Sequence, residues 1–97
     1  MSCPIWITNF KTYEQCVGKK ALELAKIHEK VALETGVSIG IAVNAFDLFR
    51  VAQEVKIPVF AQHCDPVDSG AHTGHLLAQS IKKTGAIGTL LNHSERR

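Results

Sequence analysis

Short β-rich runs and longer segments of helical apolar spacing alternate from end to end of this chain, with glycine or proline at several of the junctions between them. Ile5-Trp6-Ile7-Thr8-Asn9 follows a proline and reads as a strand. After a polar stretch, Val17, Ala21, Leu24, Ile27 and Val31 recur at helical spacing, and Gly36 stands where helices commonly stop. Val37 to Val43 is a second, mostly apolar strand. Leu48, Val51, Ala52 and Val55 share one face of a helix over Asp47 to Val55, and Pro58 blocks its continuation before a third strand, Val59-Phe60-Ala61-Gln62. His63 to Thr73 is rich in Gly, Pro, Asp and Ser and reads as a long loop. Leu76, Leu77, Ser80 and Ile81 predict a third helix ending near Gly85, and Ala86 to Leu91 supplies strand four.

The order βαβαβαβ predicts an α/β fold, a parallel sheet with helices packed on it. No linker, low-complexity tract or charge run divides the 97 residues, so one unit is expected. A closed parallel barrel takes eight strand–helix units and about 250 residues, so four strands cannot close one. An open doubly wound sheet would place a glycine-rich phosphate turn after strand one. That turn here reads Asn9-Phe10-Lys11-Thr12-Tyr13, with no glycine, which argues against dinucleotide binding.

Composition narrows the class further. A formal charge of +2, with Lys19-Lys20, Lys82-Lys83 and Arg96-Arg97 scattered, draws no basic stripe for nucleic acid. Cys3, Cys16 and Cys64 are odd in number and widely spaced, so neither a disulfide framework nor a zinc ribbon is expected, and a reducing compartment is the simpler reading. The first residues carry no basic leader, and no apolar run approaches the ~18 residues of a membrane span. A soluble cytoplasmic protein is expected.

Two places carry chemistry. Asn9 and Lys11 lie two apart at the C-terminal end of strand one, so on an extended chain they share the face of Ile5 and Ile7. A lysine among apolar neighbours is costly to bury without an anion or carboxylate, although Lys11 also reads as a surface lysine just past a strand. His93 follows strand four, at the same end of the sheet. A lone histidine there is more often structural, but Lys11 and His93 would converge on one rim, as barrel active sites do. A different class is open as well: His63, Cys64, Asp65, His72 and His75 gather residue types that bind zinc or copper, at a non-standard spacing.

The fragments N-F-K-T-Y, A-H-T-G-H and N-H-S-E-R-R, in this order and at these spacings, resemble triosephosphate isomerase through essentially all 97 residues. Phe10 in place of the common tryptophan, Asn92 in place of glycine, and the H-C-D-P to H-T-G-H loop resemble the archaeal branch. Val43-Asn44-Ala45 departs from the family, which usually carries proline after strand two. The resemblance implies the N-terminal half of a TIM (β/α)8 barrel. It implies interconversion of dihydroxyacetone phosphate and glyceraldehyde 3-phosphate through an enediolate, with no metal or organic cofactor.

Such a reaction takes a base, an electrophile for the carbonyl, and positive charge near phosphate and oxyanion. By resemblance His93 is the electrophile and Lys11 the charge, Asn9 lines the same pocket, Glu95 holds Lys11, and Ser94 lies near the base. Thr73 matches a residue that reaches across a dimer interface, which implies a homodimer or an archaeal-type homotetramer. The five-residue metal reading falls in the loop that resembles the dimerisation loop. In the family the base is a glutamate after strand six, and loops after strands seven and eight hold the phosphate. None of these is encoded in the 97 residues, and the helix start after His93, which keeps the histidine neutral in this family's own well-known case, is cut short. The competing expectation is a non-catalytic half-barrel. Its interior side chains and its two sheet edges would lie open, so it would self-associate or need a complementing chain.

Overall fold

The computed structural model describes residues 5–66 and 69–90. Four parallel strands, β1 (Trp6–Asn9), β2 (Ile39–Val43), β3 (Val59–Ala61) and β4 (Gly88–Thr89), stand side by side in chain order. The helices between them are α1 (Lys19–Thr35), α2 (Ala45–Glu54) and α3 (Ala78–Lys83), with a single 3-10 turn, Glu14–Cys16, ahead of α1. The register runs Trp6 to Ile39, Ile41 to Val59 and Phe60 to Gly88. The expected βαβαβαβ order and parallel sheet are therefore present.

The alternation of side chains along each strand separates two faces. Ile41, Val43, Val59 and Ala61 are buried, and with Leu48 and Val51 of α2 and Ala21, Leu22 and Ala25 of α1 they form the core. Phe10, 1% exposed, closes this core beyond the end of β1, its ring 5.4 Å from that of His28 on α1. On the opposite face Phe60 lies between two glycines. A β-carbon at Gly40 would stand 3.0 Å from Phe60 Cε2 and 3.2 Å from the Pro58 carbonyl, and one at Gly88 would stand 3.1 Å from Phe60 Cδ1. Small residues on β2 and β4 therefore make room for the large one on β3.

Local chemistry explains the helix ends. Asn44 caps α2 by accepting the Phe46 N–H at 3.0 Å, and its own amide donates to Asp47 Oδ2 at 2.6 Å. The same Asp47 oxygen accepts the Gly18 N–H at 2.9 Å, tying the start of α1 to the start of α2. Gly36 ends α1 with φ 74, the left-handed geometry that costs a residue bearing a β-carbon about 1–2 kcal/mol.

Three expectations shift. The face of α1 that packs on the sheet is Ala21, Leu22 and Ala25, whereas Val17, Ile27 and Val31 are exposed. Ile27 and Val31, together with Trp6, Val37 and Ile39, line an open apolar groove along the outer side of β1. The second strand begins at Ile39 rather than Val37, because only from there does β2 have a partner residue on β1. The third helix is a short one, Ala78–Lys83, anchored by Ile81, with Leu76 and Leu77 half-buried ahead of it. Leu91, expected at the end of strand four, lies outside the described residues.

Candidate functional site

The polar residues that face the side of the sheet away from the helices collect at its C-terminal edge. Strand β1 ends at Asn9, whose Oδ1 accepts the Lys11 N–H at 2.9 Å and bends the chain into a turn. Lys11 then takes φ 54, the single non-glycine positive φ among the described residues. For a residue with a β-carbon that conformation costs roughly 1–3 kcal/mol and persists only where its surroundings hold it. The expectation of an extended chain through Lys11 thus gives way to a tight turn, and strand alternation does not set the direction of its side chain. The Lys11 ammonium lies 5.8 Å from the centre of the Tyr13 ring, within cation–π range.

The restraint on this turn comes from β3. Gln62, one residue past the strand, brings its Nε2 to 2.9 Å from the Lys11 carbonyl and 3.3 Å from both Asn9 Oδ1 and the Ala42 carbonyl. Ala42 O also accepts the Phe10 N–H at 2.9 Å. Sequence pattern alone marks Gln62 only as the end of an apolar strand. The signal available was an amide at the tip of Val59-Phe60-Ala61, in step with Phe60 and so on the face opposite the helices.

Thr73 is exposed, in a turn closed by the His75 N–H on the His72 carbonyl. Across the base of that loop, Asp65 Oδ2 accepts the Leu76 N–H at 2.7 Å, while Oδ1 pairs with His63 Nε2 at 2.7 Å. The Leu76 N–H first, and the His63 ring second, hold the Asp65 carboxyl below its ordinary value. His63 and Asp65 are thus engaged with each other, and the His72 and His75 rings stack edge-on at 5.8 Å. Among the described residues no group of three or more His, Cys, Asp or Glu is arranged to hold a metal ion. His93, Ser94 and Glu95 lie outside the described residues, so Asn9, Lys11 and Thr73 are the expected site residues that the structure places. It brings Asn9 and Lys11 together in one turn and sets Thr73 on the separate loop after β3.

A parallel sheet laid down in chain order, covered by the helices that connect its strands, with polar side chains gathered beyond its C-terminal edge, is the construction of an enzyme barrel of the (β/α) class. The four strands correspond to its N-terminal half. Residues 4–97 match the family model described as triosephosphate isomerase, and the chain belongs to that family. Similar proteins include the triosephosphate isomerase of Metallosphaera sedula, 58% identical over the whole chain, and that of Methanobacterium bryantii, 55% identical over 97% of it. A third, from Methanocaldococcus jannaschii, is 50% identical over 94% of the chain. The chain spans 42% of the length of each of these relatives. No helix among the described residues is long and apolar enough to cross a membrane.

Proposed function

We propose that residues 1–97 form the N-terminal half of a triosephosphate isomerase barrel, interconverting dihydroxyacetone phosphate and glyceraldehyde 3-phosphate in cytoplasmic glycolysis and gluconeogenesis. The observation that carries this reading is the Asn9–Lys11 turn, held in a costly conformation at the edge of the sheet where barrel enzymes assemble their sites. In it, the Lys11 ammonium offsets the charge of the substrate phosphate and of the enediolate oxygen, and the Asn9 amide lines the same pocket. His93 polarises the carbonyl, Glu95 holds Lys11, and Ser94 lies near the base. Neither a metal nor an organic cofactor has a part. The glutamate base and the phosphate loops belong to strands five to eight, whether on this polypeptide or on a second one. Thr73, exposed on its loop, reaches a second subunit in a homodimer or homotetramer.

The test is isomerase turnover of glyceraldehyde 3-phosphate by the 97-residue chain, alone and mixed with strands five to eight of the Metallosphaera sedula relative. The reading expects turnover in the mixture that falls at least about a hundredfold in His93→Ala. Turnover unchanged by that substitution would remove His93 from the chemistry.

A second reading is favoured by the open side of β1, where Trp6 is 70% exposed and Ile5 and Ile7 are exposed too. There the chain is a non-catalytic half-barrel that self-associates or binds a complementing chain. A concentration-dependent mass in ultracentrifugation, with no turnover in any mixture, would support it.

A further inference from the structure

We propose that Gln62 is a positioning residue for Lys11, fixing the turn that aims the ammonium; this rests on the isomerase reading for its purpose but not for its geometry. Three oxygens converge on one nitrogen: the Lys11 carbonyl at 2.9 Å, and Asn9 Oδ1 and the Ala42 carbonyl each at 3.3 Å. Only the NH2 end of the amide can face three acceptors, and its two protons are shared among them. The acceptors come from the end of β1, the turn after it and β2, so one side chain at the tip of β3 gathers three successive segments.

The Lys11 residue is thereby held from both sides. Its N–H is donated to Asn9 Oδ1, its carbonyl accepts from Gln62, and Asn9 Oδ1 itself lies within reach of the same Gln62 nitrogen. Between these two restraints sits φ 54, which a residue with a β-carbon abandons when nothing holds it. A return to negative φ would redirect the bond from Cα to Cβ and, with it, the ammonium. Apart from its reach to the Ala42 carbonyl, Gln62 stands beyond the paired part of the sheet. The β2–β3 pairing ends at Val43 with Ala61, so the backbone ladder does not depend on the Gln62 side chain.

Two substitutions separate positioning from general support. Gln62→Met keeps length and removes the donor, whereas Gln62→Glu puts a carboxylate against three oxygens and regains a proton donor when acidified. Nuclear magnetic resonance of the 97-residue chain reads the conformation directly, since a positive φ gives a strong intraresidue cross-peak between the Lys11 amide proton and Hα. Inorganic phosphate serves as the probe anion, followed at the Lys11 amide.

In both variants the strong Lys11 cross-peak is expected to weaken to the level of an ordinary extended residue, and phosphate is expected to bind there about tenfold to a hundredfold more weakly. The Ile41, Val43 and Val59 amides are expected to stay in place. In Gln62→Glu the strong cross-peak is expected to return as the pH falls through the titration of the introduced carboxyl. A strong cross-peak that persists in both variants overturns the proposal, and so does a simultaneous displacement of the sheet amides, which would make Gln62 a general support. A cross-peak that weakens in the variants upholds the positioning role whatever the phosphate response of the parent chain, and the isomerase reading is decided separately, by turnover in the mixture with strands five to eight.

Discussion

Removing the Asn44 side chain tests whether the corner between β2 and α2 is held as described. Asn44 is 8% exposed and makes two bonds, one capping the Phe46 N–H at 3.0 Å and one donated to Asp47 Oδ2 at 2.6 Å. An N-cap of this kind contributes about 1 kcal/mol. A hydrogen bond to a carboxylate is worth about 1.5–3 kcal/mol where both partners are dry, but Asp47 is half-exposed and water replaces part of the loss, so about 1 kcal/mol is the fairer figure. Asn44→Ala is therefore expected to cost about 2 kcal/mol, which lowers the Tm of a domain this size by roughly 8–16 °C. Asp47→Ala loses the Asn44 bond, the Gly18 N–H and a favourable charge in the first turn of α2, for about 2–3 kcal/mol. Because both single variants delete the same Asn44–Asp47 bond, the double variant should be less destabilised than their sum by about 1 kcal/mol. Urea and thermal unfolding followed by far-ultraviolet circular dichroism measure all three. A cost for Asn44→Ala under about 0.5 kcal/mol, or additivity within that margin, would refute the reasoning.

Two other outcomes follow from the packing and the charges. Gly40→Ala places a methyl group against the Phe60 ring and the Pro58 carbonyl and should cost about 1–3 kcal/mol in urea unfolding; Phe60→Leu in the same chain should recover part of that but not all, because Pro58 O is backbone. The Asp65 carboxyl is held low by the Leu76 N–H and His63, so its folded value lies below its unfolded one. Its stabilisation is present above the ordinary carboxylate range, around pH 3.8, and is lost as the pH falls through the lower folded value. The Leu76 amide should therefore shift only at acid pH, and in Asp65→Asn it should not titrate; a Leu76 transition above the ordinary carboxylate range would contradict the assigned direction.

Much of this architecture is legible in the residues because each helix and strand has to bury something. Leu48, Val51, Ala52 and Val55 predict the packed face of α2, and that face is buried or half-buried in the structure. On α1 the same spacing argument picks Ala21 and Leu24, which lie in or against the core, but also Ile27 and Val31, which are exposed on that helix. Its apolar residues outnumber those that two strands can cover, and small Ala21 and Ala25 win the contact because they let the helix approach the sheet. The turn at Asn9 and Lys11 is readable as polar residues at a strand end, but its left-handed residue is not. That geometry depends on Gln62, brought from a distant part of the chain by the register of three strands. The link from Asp47 to Gly18 is hidden for the same reason, since spacing along one helix says nothing about the start of another.

The strand order of the sheet has a consequence for how such a chain is made. Every strand pairs with the one synthesised just before it, so none waits for a partner that has yet to leave the ribosome. Growth can then follow translation, each newly emerged strand–helix pair adding to the rim left by the last. The flank of the strand made last is the growing end at each stage, whereas the outer flank of β1 pairs with no other described strand.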